Sequence, residues 1–311
     1  MLALSLIVGL EGCANGSSIR EYSLPVASIE LGATPFFPQA EYQCGPAALA
    51  TVLVADGAAV TPEALTPYIY LPGRKGSLQA EIVAATRRHG RVPYVIQPIF
   101  DNLLAEVASG TPVLVMQNLG LRMMPRWHYA VVIGYDADSD SLLLRSGTRE
   151  RLAMNRVRFQ ATWARANNWA LVAVSPHKPP ATAQVNNWLL AASAFEELNQ
   201  AKLAAQAYEV ATSRWPQQPL AWQALANARY GLKDLAGAET ALRRALQLAP
   251  SAVASNNLAH VLHEQGCSTQ ALAEISRAQA MADANKLRAV LAKTRAGIEA
   301  HAGETASGCS Q

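Results

Sequence analysis

The chain is poor in charge and has no basic runs. Of its 311 residues only 16% are charged, 26 Lys and Arg stand against 23 Asp and Glu, and the net charge is +3. With no long run of Lys or Arg, nothing points to nucleic acid as a partner. Cysteine is also scarce: there are four, Cys13, Cys44, Cys267 and Cys309. Their wide spacing offers no paired CxxC and so no metal-ligand pattern. So few thiols in so long a chain argue against a disulfide framework and leave only a Cys267–Cys309 bridge open. Long apolar runs are missing too, since the stretch from Leu2 to Leu10 is too short to cross a bilayer as a helix. Apolar residues themselves are plentiful. They make up 50% of the chain, enough to bury cores in two domains.

Composition changes near residue 180, after the Pro-rich join Ser175-Pro176-His177-Lys178-Pro179-Pro180. Before it, helical and strand-like runs alternate. Helices are predicted from Cys44 to Ala55, from Thr61-Pro62 onward, from a Ser77 cap to His89, and from an Asp101-Asn102 cap to Val107. Strands are predicted at Tyr94 to Ile96, Pro112 to Gln117 and Trp169 to Val174, with a hairpin formed by His128 to Tyr135 and Ser141 to Arg145. Helices first and antiparallel strands later make an α+β pattern. After the join the chain repeats itself with the period of tetratricopeptide units. Trp222, Leu225, Ala226, Ala238, Ala245 and Pro250 mark one copy. Trp188, Ala191, Ala192, Ala204, Ala211 and Pro216 mark the copy before it. About three such copies and an end helix give an all-α solenoid, whose concave surface suits a protein partner.

The first residues resemble a bacterial lipoprotein signal. The apolar stretch ends in Leu10-Glu11-Gly12-Cys13 and is followed by the loop-like Ala14-Asn15-Gly16-Ser17-Ser18. The resemblance implies lipid attachment at Cys13 and a chain tethered to a membrane without spanning it. Ala14 in place of an acidic residue implies the outer membrane, facing the periplasm of a bacterial envelope. The domains expected are therefore 1–18 as signal and tether, 19–178 as the α+β domain, and 179–311 as the helical repeats.

Chemistry centres on Gln43-Cys44-Gly45-Pro46-Ala47-Ala48-Leu49. Gly45 permits a tight turn and Pro46 suits the first turn of a helix, which puts the Cys44 thiol at a helix start. The partial positive charge and unpaired N–H groups there favour thiolate, the reactive form. Trp127-His128-Tyr129-Ala130-Val131-Val132 places a histidine at the head of a strand. A cysteine on a helix start and a histidine on a later strand are the parts of a thiol hydrolase. Gly73-Arg74-Lys75-Gly76-Ser77 lacks the spacing of a nucleotide-binding P-loop. His260 and His263 lie one helical turn apart with no further ligand at a suitable spacing.

These motifs, with Pro38-Gln39 upstream and Gly134-Tyr135-Asp136 downstream, resemble the papain-like double-glycine peptidases, the bacteriocin-leader processing family. The likeness is to their stand-alone lipoprotein type with tetratricopeptide repeats, over roughly residues 30 to 175. It implies a papain-like peptidase domain that hydrolyses peptide bonds with neither cofactor nor metal. By position Cys44 is the nucleophile, His128 the base and Gln39 the oxyanion donor, with Gln43 as a rival for that last role. A Cys–His pair can exist as ions at neutral pH. Where the family has an Asp to orient the histidine, Leu144-Arg145-Ser146-Gly147 offers Ser146, which carries no charge. A rival reading is a catalytically weak or inactive domain that acts as a protein-binding scaffold.

Overall fold

The structure, a computed structural model, describes residues 27–39, 43–281 and 284–300. The lipoprotein signal and Cys13 lie outside them. Among the described residues no helix is long and apolar enough to cross a membrane.

The first half is built on one antiparallel sheet. Its strands are β1 (Ile29–Glu30), β2 (Val92–Val95), β3 (Val113–Asn118), β4 (Trp127–Asp136), β5 (Ser141–Ser146), β6 (Arg149–Asn155) and β7 (Ala170–Val174). The order is β2-β7-β3-β4-β5-β6, with β1 paired to β4. Alternate residues of the central strands sort by face, as the two-residue pleat requires. Leu114, Tyr129, Val131, Ile133 and Leu171 pack against α1 (Cys44–Ala55), α2 (Pro62–Ile69) and α3 (Gln79–Arg88). Val113, Val115, Ala130, Val132 and Val172 join the core under α4 (Phe100–Ala108) and α5 (Arg156–Ala164). Strands covered on both faces read as continuous apolar runs, which is why β3, β4 and β7 were visible in the sequence.

Local signals succeeded where a side chain does the capping. Thr61 Oγ1 accepts from the Ala64 amide at 3.3 Å, with Pro62 opening α2. Two caps differ from expectation. Helix α3 begins after Leu78 with no side-chain cap, and the Ser77 hydroxyl is instead buried beside Gly45. Helix α4 begins after Ile99, which puts Asp101 inside its first turn, where its charge still favours the helix dipole. Strand β6 and helix α5 carry mostly exposed polar residues between their buried ones, and were not anticipated.

The second half is a stack of helical hairpins. The first helices are α6 (Val185–Glu197), α8 (Pro219–Gly231) and α10 (Ala252–Glu264), beginning 34 and 33 residues apart. The second helices are α7 (Ala201–Arg214), α9 (Leu235–Leu248) and α11 (Ser268–Gln279), and α12 (Arg288–Ala300) closes the stack. Ala204, Ala238 and Ala271 recur at the same interval, as do Ala211, Ala245 and Ala278, and all six are fully buried. A methyl at these points lets neighbouring helices approach closely.

The two halves share one apolar core, which runs from the α4/α5 face of the sheet through Trp188 and Phe195 into the repeats. The Pro-rich join is correspondingly fixed. Glu106, fully buried, accepts hydrogen bonds from the Ala181 amide (3.1 Å), the Thr182 amide (2.7 Å) and the Thr182 hydroxyl (2.6 Å). Arg214 donates to the carbonyls of Pro180 and Ala181, and the Gln184 amide donates to the Tyr94 hydroxyl. Charge-assisted bonds of this kind hold a segment far more firmly than its Pro content alone would suggest.

Candidate active site

Cys44 is the first residue of α1 and the free cysteine among the described residues. Cys267 is disulfide-bonded. Gly45 is required by close approach and not by a turn: a Cβ there would sit 2.3 Å from Ser77 Oγ and 2.6 Å from Ser77 Cβ. The missing side chain lets the Ser77 segment lie against the base of the cysteine. Helix α1 is buried along Gly45 to Leu53 and packs on β4.

The backbone N–H groups of Tyr129, Gly45 and Cys44 itself pull the thiol's pKa down. They favour thiolate, as a helix start should. Burial is the larger effect, however, and pushes the Cys44 thiol above its ordinary 9.0. Next to Tyr129 in β4 stands His128, part-buried. Burial, reinforced by the nearby Arg126 charge, pulls its imidazole down to about 4. Burial thus works against both charged forms, and so against the resting ion pair expected from the sequence. Among the described residues the hydrogen-bond partner of the ring is Ser146, and the ring forms no such bond to the Cys44 thiol. His128 Nε2 and Ser146 Oγ lie 2.9 Å apart.

Ser146 closes β5, and the turn beyond it uses Gly147 at φ +62°, a left-handed conformation that suits glycine. The carbonyl of Gly147 accepts the Gln39 amide at 3.1 Å. Gln39 is thus moored by its backbone one residue from Ser146. Gln43 is the residue before α1 and gives its side chain to no cap. Of the four sequence-nominated residues, His128 and Ser146 meet directly and the Gln39 backbone is tied beside Ser146, while Cys44 opens α1 with its thiol near the backbone of Tyr129, the residue after His128.

One contributor went unrecognised in the sequence. Arg145, 6% exposed, sends its guanidinium to backbone carbonyls alone: Thr34 (2.7 and 3.1 Å), Gly32 (3.1 Å) and Glu150 (2.7 Å). It staples the segment leading to Gln39 onto the strand that bears Ser146. The signal was available, since a charge closing the run Leu142-Leu143-Leu144 must find buried partners. Among the described residues no group of three or more His, Cys, Asp or Glu side chains, at His260 and His263 or elsewhere, is placed to hold an ion. His260 Nε2 instead lies 3.0 Å from the Thr294 hydroxyl.

Residues 32–171, which carry all of this geometry, match the Peptidase_C39 like family. No curated protein matches the chain. Among solved structures it is similar to a C39-like peptidase from Bacillus anthracis, at 18% identity and a TM-score of 0.41 over 50% of this chain and 99% of that one. It is also similar to the peptidase domain of Streptococcus ComA, a bifunctional ABC transporter of a quorum-sensing pathway. There the identity is 23% and the TM-score 0.38, over 45% of this chain and 98% of that one. With scores this low, neither neighbour adds to the family match. That match covers the peptidase-like half and leaves the helical half unassigned.

Proposed function

We propose that this protein is a cysteine peptidase acting on a peptide or protein substrate. The single observation that carries this is the His128–Ser146 pair, with the Gln39 backbone tied beside it and the Cys44 thiol near the Tyr129 backbone, all within the segment that matches a peptidase family. In the proposed reaction Nε2–H of His128 donates to Ser146, which leaves Nδ1 to accept a proton. Substrate enters, the thiol proton passes to Nδ1, and Sγ attacks the scissile carbonyl carbon. Negative charge on the carbonyl oxygen is met by the Gln39 carboxamide and the Cys44 backbone N–H. As the intermediate collapses, the C–N bond breaks and the imidazolium returns its proton to the amine. Water then hydrolyses the thioester by the same proton route.

Burial disfavours charge on both thiol and imidazole, so in this reading proton transfer accompanies substrate binding. The same fact favours a second reading, a domain with little hydrolysis that serves as a scaffold. The helical hairpins support a tetratricopeptide array for a protein partner through their 33- and 34-residue spacing and phased buried alanines. A lipid at Cys13 and a place on the periplasmic side of the outer membrane complete the proposal.

A thiol-reactive peptide mimic tests it. Stoichiometric labelling of Cys44 that disappears in His128→Ala, with matching loss of peptide cleavage, supports the peptidase. Labelling of Cys44 no faster than that of the denatured chain, with no cleavage, leaves the scaffold.

A further inference from the structure

The hairpin between β3 and β4 carries three of the four most exposed large apolar side chains among the described residues. Met123 is 93% exposed, Met124 74% and Leu121 72%, with Trp127 at 52% behind them. This exposure is built in. Asn118 Oδ1 accepts the amides of both Gly120 and Arg126 at 2.9 Å, and the Leu119 amide donates to the Arg126 carbonyl at 2.9 Å. Arg165 donates twice to the Asn118 carbonyl, at 2.9 and 3.1 Å, and fixes the hairpin to α5. A Cβ on Gly120 would lie 2.3 Å from the Met124 carbonyl oxygen, so the tip closes as tightly as a backbone can. A tip held in this way cannot turn its side chains inward.

An apolar patch displayed so fully marks a contact surface. Its shape narrows the partner. Side chains that line a peptide groove are screened by the groove's own walls, and a methionine at 93% exposure has no walls. A convex apolar tip is covered by a medium it enters. Its charge narrows the partner further. Arg122 and Arg126 flank the tip and Arg165 stands at its base, and none of the three joins an ion pair among the described residues. No acidic residue occurs between Glu106 and Asp136.

We propose that this hairpin docks the protein on an anionic bilayer. Leu121, Met123, Met124 and Trp127 enter the boundary between headgroups and acyl chains, where tryptophan is favoured. Arg122 and Arg126 meet lipid phosphates. His128 follows Trp127 directly in β4, so docking turns the candidate active site toward the membrane surface. The contact depends on neither the catalytic reading nor a lipid at Cys13.

The test uses the full chain with Cys13→Ser and co-sedimentation with phosphatidylglycerol–phosphatidylcholine vesicles, beside phosphatidylcholine alone. The parent is expected to bind the mixed vesicles. Met123→Glu/Met124→Glu should bind at least about tenfold more weakly at an unchanged melting temperature, since two membrane-inserting apolar side chains are lost. Arg122→Glu should erase much of the preference for the anionic lipid. Failure of the parent to bind, or binding by the double variant equal to the parent's, overturns the proposal. So does a raised KM for a soluble peptide in the double variant with vesicle binding unchanged, which would make the hairpin a substrate contact.

Discussion

His128 Nε2 and Ser146 Oγ stand 2.9 Å apart, a ring partnered by a neutral hydroxyl. With no carboxylate against it, burial sets the ring's basicity and holds it down to about 4. Ser146→Asp should therefore raise the imidazole pKa and quicken Cys44 labelling near neutral pH. Ser146→Ala removes one neutral hydrogen bond and should slow labelling about five- to tenfold. Equal labelling rates for parent, Ser146→Asp and Ser146→Ala across pH 6 to 8 would show that Ser146 does not govern the ring.

The raised Cys44 thiol gives a second expectation. In the absence of substrate, iodoacetamide labelling should climb with pH and still be climbing above pH 9, because thiolate is the reactive species. A labelling midpoint near pH 6 or 7 would instead demonstrate a resting ion pair.

Acid should weaken the fold through His128. The unfolded ring takes up a proton near 6.5, whereas the folded ring resists until about 4. Stability is whole above pH 6.5 and is lost as pH falls through that window, since the unfolded state binds the extra proton. The loss is on the order of 3 kcal/mol by pH 4. Chemical denaturation at pH 7 and pH 4.5 should show it, and His128→Gln should shrink the difference between them.

Arg145→Met should strand the carbonyls of Gly32, Thr34 and Glu150 and release the segment that carries Gln39. Leaving such groups unpaired costs about 1–3 kcal/mol each, partly relieved by water. Urea unfolding measures the loss. Arg145→Lys should recover only part of it, because one ammonium cannot span carbonyls that a planar fork bridges.

Gly45→Ala drives a methyl into Ser77 and should cost about 1–3 kcal/mol as an overpacked core. Ser77→Ala should not rescue it, since the Ser77 Cβ stands 2.6 Å from the new methyl. Ser77→Gly should. Thermal melts of the three combinations decide whether contact with Ser77 is the cause.

Legibility in the sequence followed burial and local chemistry. Helix α1 was read to its ends, Cys44 and Ala55, because an unbroken apolar run follows a cysteine, a glycine and a proline. The helical hairpins were legible because buried alanines keep phase over two intervals. Strand β6 was not, since its outward residues Arg149, Glu150 and Arg151 conceal a pairing that β5 supplies. Gly45 was noticed for the wrong reason, because the Ser77 contact joins residues far apart in sequence. The burial that disfavours charge on Cys44 and His128 was hidden by the same route: local sequence announces a helix start but not how much water the tertiary fold removes. Arg145 and Glu106 could be flagged only as charges in apolar surroundings, and their partners are backbone groups that no residue type encodes.

Glu106 gives the join between the halves a mechanical meaning. Its carboxylate clasps residues 181 and 182 while Trp188 beds into apolar cover shared with the sheet, so there is no hinge for the helices to swing on. Anything bound on the helical stack would be held at a constant offset from Cys44. Ending the polypeptide after Val174 would leave a greasy sheet face open to water, so the peptidase-like half and the helical stack stand as a single rigid body.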